Sequence, residues 1–390
     1  MSNAIVQLEA LANTPPTDPV ERLALYNAAK KLVTATEDPF NTICRVNGSP
    51  MILTFSQVAC DLGLFEKLAE STAPLSSISL GSSSGADPIL LSRVLRFLAS
   101  NDIITETGED LYMANGVTGT LACRGFQAGI AHTFYATMPC LQATPKFLAD
   151  TGYQNPADVL HSPFQVAHNT DKLAYVWAME QPKLMADFNL WMTEQHQGQK
   201  TWLDVFDLAG HLEGSSSDTL IFVDIGGGLG QQCALLKEKH PQLPGRVVLQ
   251  DQPFVLPHAI PTDGVEKLSF DFWTEQPLKG SRIYYMRNIL EDYPDDKALA
   301  ILENTLPAMS PGSLLIIDEM IIPNSGATLR STVQDMVMMT SLASAERTER
   351  QWEALLDRAG LRVLQKTAYN EATGESIIVT MRKNQETGGG

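Results

Sequence analysis

Phe222-Val223-Asp224-Ile225-Gly226-Gly227-Gly228-Leu229-Gly230 is the most informative segment of this chain. An apolar strand-like run ends in an acid, glycines recur at 226, 228 and 230, and a helix-like run, Gln232-Cys233-Ala234-Leu235-Leu236, follows. A strand, a glycine loop and a helix start form the place where α/β sheets hold nucleotide-like ligands. A dinucleotide fingerprint wants G-x-G-x-x-G, so that amides at the helix start can cradle a pyrophosphate. Here the glycine period is two and Asp224 sits inside the site. An acid is a poor neighbour for a pyrophosphate and a good one for an ammonium group. Asp251 closes the next strand-like run, and Asp271-Phe272 close the third. Together these acids make the loop far more specific than glycines alone.

Strand-like and helical runs alternate from about residue 218 to the end. That alternation, with buried-strand composition, predicts a doubly wound parallel sheet. The last two strand-like runs, LRVLQK and ESIIVTMRK, are joined by the turn-rich stretch 370–375 and no helix. They read as a hairpin, so one antiparallel strand should end the sheet. Upstream, 126–200 reads as wholly helical. Met185, Phe188 and Met192 recur there at helical spacing, which suggests core before ligand. Residues 51–120 give helix, helix, helix and a hairpin around Thr107-Gly108, the order of a winged helix. Residues 1–50 give two helical stretches broken at Thr14-Pro15-Pro16. The expected organisation is a helical, winged-helix-like dimerisation domain (1–125), substrate-side helices (126–215), a Rossmann-like domain (216–383) and a tail (384–390).

Lys and Arg number 28 against 45 Asp and Glu, a net charge of −17. That argues against nucleic-acid and anionic-membrane partners, which reward basic surfaces. The winged-helix order therefore reads as dimerisation rather than DNA binding. The five cysteines are scattered, with no metal-like spacing, and no metal is expected. No apolar run approaches the ~18 residues of a membrane span. The first residues carry acids and prolines with no apolar signal core, so a cytoplasmic protein is expected.

D-I-G-G-G-L-G, L-Q-D-Q-P and F-D-F-W resemble the S-adenosylmethionine (SAM) site of class I methyltransferases, and most closely the plant and fungal O-methyltransferase family. VACDLGLFEKL and LLSRVLRFLASNDI resemble that family's dimerisation domain. DYPDDKALAILENTLPAMSPGSLLIIDE and ERTERQWEALLDRAGL resemble its C-terminal signature. The resemblance implies a SAM-binding Rossmann-like domain, a homodimer and a small-molecule substrate. It implies that Gly226, Gly228 and Gly230 approach the methionine part of SAM beside Asp224, with Arg287 near the cofactor. Asp251 would take the ribose hydroxyls, and Asp271 and Phe272 would flank the adenine.

One departure matters. The family carries a catalytic histidine after the fourth strand, in a segment written roughly L-H-D-W. Here the segment is Leu290-Glu291-Asp292-Tyr293, and the seven histidines (132, 161, 168, 196, 211, 240, 258) all lie elsewhere. The acids that brace that histidine correspond to Glu319 and Glu346. Three readings follow. Glu291 itself is the base, if clustered acids raise its pKa; or transfer to an acidic enol runs on proximity; or methyl is not transferred at all.

The third reading resembles the O-methyltransferase-like fungal pericyclases of the leporin-pathway type. These dehydrate polyketide-derived 2-pyridone alcohols without consuming SAM. His132, in an aromatic stretch with Phe134 and Tyr135, corresponds to a substrate-contacting histidine there. In such a mechanism His132, Glu291 and Asp292 would supply the proton transfers, and Arg287 would hydrogen-bond a pyridone carbonyl. Met185, Met192, Met336 and Met339 would hold an alkyl chain, with Phe188 and Glu319 beside it. Plainer readings stand next to these. His132 is a satisfied core histidine, Arg287 contacts only cofactor or Asp292, and Asp292 caps the helix near Pro294.

Overall fold

The computed structural model describes residues 3–195, 198–370 and 373–383. The expected tail (384–390) and His196 lie outside them. The chain divides into two compact units, Met1–Cys123 and Arg124–Gly390. The helices from 126 onward belong to the second unit with the sheet, with no division near 215.

In the first unit, Asn3–Asn13 and Pro19–Thr36 are helices separated at the proline break. Pro19 opens the second helix, and the Asp18 carboxylate accepts from the Glu21 amide, because the first turn lacks internal acceptors. Helices Pro39–Asp61, Leu64–Glu70, Ser77–Ser84 and Pro88–Ala99 follow. Leu64, Phe65, Leu68, Leu91, Val94, Leu95 and Leu98 form their core. The hairpin pairs β1 (Thr105–Gly108) with β2 (Leu111–Met113). Its turn falls at Glu109-Asp110, with Asp110 at φ +52, two residues beyond the predicted Thr107-Gly108. Aspartate tolerates the left-handed region better than most residues.

The second unit carries β3 (Leu220–Ile225), β4 (Arg246–Asp251), β5 (Val265–Ser269), β6 (Ile283–Arg287), β7 (Leu314–Met320), β8 (Leu361–Asn370) and β9 (Glu375–Arg382) in one sheet, order β5-β4-β3-β6-β7-β9-β8. All pairs from β5 to β7 are parallel. β9 runs antiparallel to both β7 and β8, so one antiparallel strand is present as predicted. It sits one place in from the edge, because the hairpin folds back and slots β9 beside β7. The links β4–β5 and β5–β6 carry no α-helix, only the short turn Leu256–His258, so the helix alternation holds on fewer crossovers than the sequence pattern suggests.

Each face of the sheet has its own core. Tyr284, Ile301, Leu302, Trp352 and Leu355 pack on one, Trp202, Phe222, Leu236 and Tyr285 on the other. Strand order reverses between β3 and β6, and a crevice for ligands forms outside the strand ends at such a point.

The stretch 126–200 is not wholly helical. Helices Arg124–His132, Met138–Asp150, Pro163–His168, Ala174–Met179 and Pro182–Glu194 are separated by a turn-rich segment, 151–162, and by one π-turn, Thr133–Thr137. The Met185, Phe188, Met192 stripe is half-buried, and Asp187 is the buried residue of its helix, so the stripe is not core. Among the described residues no helix is long and apolar enough to cross a membrane. No group of three or more His, Cys, Asp or Glu among them is placed to hold a metal ion.

Candidate active site

The glycine loop leaves β3 at the strand-order reversal. Gly226 has φ +67, and a Cβ there would lie 2.7 Å from Ile289 Cδ1 and 3.6 Å from Phe272 Cε1. The loop therefore runs close under both side chains, with a backbone that a side chain would strain. Gly230 (φ +80) starts the helix Gln231–Lys239, where a Cβ would lie 2.9 Å from Leu249 Cδ2. The amides of Gly226 and Gly227 donate to the Gln250 carbonyl at 2.9 and 3.1 Å. Asp251, at the end of β4, accepts from the Gly228 amide (2.7 Å) and the Gln252 amide (2.7 Å), and burial raises its pKa.

This is a cradle for a ligand with a polar, hydroxyl-bearing middle: a close backbone, a carboxylate at the strand end and an aromatic flank at Phe272. Phe272 meets Tyr293 edge-on at 6.0 Å, and Asp271 beside it is exposed and accepts from the Trp273 amide at 3.1 Å. Asp224 is only 1% exposed. It lies beneath the loop against the Cys233 thiol, 3.5 Å away, and burial pushes its pKa up to about 7. It underpins the loop rather than facing outward.

After β6 the chain turns through Asn288 (φ +51) into a short 3-10 turn, Leu290–Asp292. That turn is held from several sides. The Ile289 and Leu290 amides donate to Glu319 Oε1 at 3.0 and 2.9 Å. Arg347, 3% exposed, donates to the Leu290 carbonyl (2.6 Å) and the Tyr293 carbonyl (2.7 Å), and pairs with Asp295 at 2.8 Å. Ser344 donates to the Glu291 carbonyl.

Glu291, Glu319 and Glu346 are all buried and come together at this turn, with half-buried Asp292 beside them. Burial, then the charges of Glu346 and Asp292, raise Glu291 far above the ordinary carboxylate range. Burial, then Glu291, do the same to Glu319, while the two amide bonds oppose. Glu346 is pushed up to about 8, by burial and then by Glu319. Asp292 is pushed up to about 7, by burial and then by Glu319, against the hydrogen bond from Tyr175. Oε2 of Glu319 and Oε2 of Glu346 find no donor among the described residues. Carboxyl groups so crowded are pushed toward their protonated forms, because burial and like charges both penalise the ionised form.

The helix Leu329–Leu342 connects this turn to the substrate-side helices. It packs against Leu290–Asp292, against the π-turn Thr133–Thr137 and against the helices Met138–Asp150 and Pro163–His168. On it Met339 is half-buried and Met336 is 45% exposed.

His132 ends the helix preceding the π-turn, an irregularity that often marks function. Its Nδ1 is buried and has no hydrogen-bond partner among the described residues. Burial lowers its pKa, against the opposing pull of Asp187, so the ring is neutral. A satisfied core histidine would have a partner there; this one does not. Phe188 packs on the ring at 5.2 Å, and Tyr175 meets Phe188 from the other direction at 6.3 Å. Phe134 is half-buried, and Tyr135 is 49% exposed under the Lys183 ammonium.

Two sequence expectations change. Asp292 is not a helix cap; Pro294 holds that position before Asp295–Thr305, and the Asp292 carboxyl instead accepts from Tyr175 Oη at 3.2 Å. Arg287 is not free to contact Asp292 or a substrate carbonyl. Its guanidinium is committed to Asp318 (3.0 Å), the Tyr369 hydroxyl (2.9 Å) and Glu375 (3.1 Å). Asp318 is 1% exposed, and an isolated buried charge is costly, so the nearest cation is drawn to it. Arg287 thus ties β6 to β7, β8 and β9. Arg287→Lys should lower stability by about 1–2 kcal/mol, since an ammonium cannot reproduce the planar fork. Urea unfolding at pH 7.5 checks this, and an unchanged midpoint would count against the clamp.

Sequence reading missed Tyr175 and Arg347. Arg347 stood in Ala345-Glu346-Arg347-Thr348 and carried no signal beyond the acid beside it. Tyr175 carried none beyond its aromatic-rich surroundings.

Comparison with known proteins agrees with this geometry. Residues 153–362 match the O-methyltransferase domain, and residues 49–126 match the O-methyltransferase dimerisation domain. The O-methyltransferase lepI of Aspergillus flavus is 38% identical over 352 residues, 89% of this chain and 90% of that one. Demethylsterigmatocystin 6-O-methyltransferase of the same species is 33% identical, covering 94% of this chain and 95% of that one. The structure of LepI in complex with SAM superposes with TM-score 0.87 at 36% identity, covering 97% of both chains. A second structure of the same similarity, described as a pericyclic reaction enzyme, covers 97% of this chain and 98% of that one.

Proposed function

This chain belongs to the O-methyltransferase family and uses SAM as its cofactor, and from that premise we propose a reaction in which methyl is not transferred. The proposed activity is dehydration of a polyketide-derived 2-pyridone alcohol, followed by pericyclic cyclisation of the product, in fungal secondary metabolism. The observation that carries it is Glu291. Where the family resemblance calls for a histidine base, this carboxyl is buried with Glu319 and Glu346, and burial and the neighbouring charges push it toward its protonated form. A protonated acid does not deprotonate a phenol. The likeness to a structure described as a pericyclic reaction enzyme supports the same reading.

The glycine loop, Asp251 and Phe272 suit SAM: close backbone for the methionine part, a carboxylate for vicinal hydroxyls, an aromatic face for a purine. When bound, SAM supplies a fixed sulfonium charge that favours negative charge on a nearby oxygen in a dry site. The protein's own groups move the protons. Neutral His132 accepts the proton of the ring hydroxyl. Asp292, about half protonated near pH 7, gives its proton to the alcohol oxygen as the C–O bond breaks and water leaves. One proton is taken and one is given, so the net loss is water. Met185, Met192 and Met339, all half-buried, suit an alkyl chain. The matched dimerisation domain supports a homodimer as the working form.

A second reading, true O-methylation of a phenol or enol, is favoured by relatives such as the sterigmatocystin-pathway enzyme. It requires Glu291 or proximity to stand in for the base. Replacing SAM by S-adenosylhomocysteine separates the readings through charge alone. Turnover should fall about 10-fold or more on losing the sulfonium. Equal turnover with both would contradict the electrostatic role.

A further inference from the structure

We propose that Tyr175 is the positioning residue that makes Asp292 an acid, by occupying one oxygen of its carboxyl group and leaving the other to face the reaction. This deepens the dehydration reading above and rests on it. Tyr175 lies on Ala174–Met179, a helix of the substrate side, while Asp292 lies on the turn after β6. The contact thus joins the two halves of the candidate site. Tyr175 Oη donates to Asp292 Oδ2 at 3.2 Å, and no other described group bonds that carboxyl. The tyrosine ring is 44% exposed and leans on Phe188, whose other neighbour is His132. His132, Phe188, Tyr175 and Asp292 therefore form one continuous wall, with the proposed acceptor at one end and the proposed donor at the other.

A carboxylic acid has one oxygen that carries the proton and one that accepts. Here the phenol can only donate, since burial and then the charge of Asp292 hold its own proton well above the ordinary phenol range. Its bond to Oδ2 makes that oxygen the acceptor, so the proton of the neutral acid sits on Oδ1. The same bond favours the carboxylate when Asp292 ionises. The groups that face Asp292 are Glu291 and Tyr293 on its own segment, Glu319 on β7, Glu346 beyond the Leu329–Leu342 helix, and Tyr175. Asp271 lies next to Tyr293, and Arg347 holds the flanking carbonyls. Apart from Arg347, which spends its donors on carbonyls and Asp295, all are acids or phenols. Tyr175 is the one that lowers the Asp292 pKa, through its hydrogen bond.

The test uses full-length, SAM-loaded protein and Tyr175→Phe, which removes the hydroxyl and keeps the ring. Isotope-edited infrared titration of ¹³C-aspartate, assigned by loss of the band in Asp292→Asn, reads the carboxyl directly and needs no substrate. The midpoint, near pH 7 in the parent, should rise by about one unit. With a 2-pyridone alcohol, the alkaline limb of the kcat profile should rise equally. The plateau should fall about 10-fold with KM unchanged, because the acid is no longer aimed. The acidic limb, set by His132, should stay. An unmoved titration midpoint would overturn the proposal, as would a uniform kcat loss at every pH. If the parent does not dehydrate such an alcohol, the reaction assigned above fails, while the titration still decides the Tyr175–Asp292 coupling.

Discussion

Asp292→Asn lowers turnover about 10²- to 10⁴-fold, the range supplied by a well-placed general acid. Asparagine keeps the shape and still accepts from Tyr175, but it has no proton to give. The loop, Asp251 and Phe272 are untouched, so SAM affinity should stay within about twofold, as calorimetry would read. The alkaline limb near pH 7 should vanish with the carboxyl. Turnover within about threefold of the parent would remove Asp292 from the chemistry.

The second large effect is on stability against pH. Asp224 and Asp292 are raised to about 7 and Glu346 to about 8, all by burial first. In the unfolded chain these groups titrate near 4. The folded state therefore binds more protons than the unfolded state between those values. The stability these groups contribute is complete below about pH 4 and is lost as pH rises toward 8. The total loss should amount to several kcal/mol, with coupling among the acids preventing a simple sum. Urea unfolding of SAM-free protein from pH 5 to pH 8.5 measures it.

Glu291→Gln should flatten that slope and raise stability at pH 8 by about 1–2 kcal/mol, since a neutral amide can donate to the unpartnered oxygens of Glu319 and Glu346. Destabilisation at pH 8 with the slope unchanged would mean that Glu291 is ionised in the fold. The same variant should leave dehydration nearly intact, whereas it would cripple a methyl transfer that used Glu291 as base.

The sheet and the loop were legible because strand period and glycine spacing are local. Asp224 through Gly230 is one strand end and one helix start, and both pieces follow from adjacent residues. The empty histidine position at Glu291 was legible for the same reason, as a departure within a short motif. Arg287 was misread because its partners, Asp318, Tyr369 and Glu375, lie 31, 82 and 88 residues away and meet it only across the sheet. Tyr175 and Asp292 are 117 residues apart, and no period connects them. The Met185 stripe has helical spacing whether it faces core or ligand. Its half-burial depends on what the helix packs against, and spacing does not carry that.

Whether methyl leaves SAM is read by following methyl-labelled SAM with the purified protein and the substrate pool of a producer strain lacking this gene. Product mass, label and S-adenosylhomocysteine are read together by mass spectrometry. A product lighter than its precursor by one water, carrying no label, with SAM intact, is the expected result. A product heavier by the labelled methyl, matched by S-adenosylhomocysteine, would contradict it and make the chain a methyltransferase.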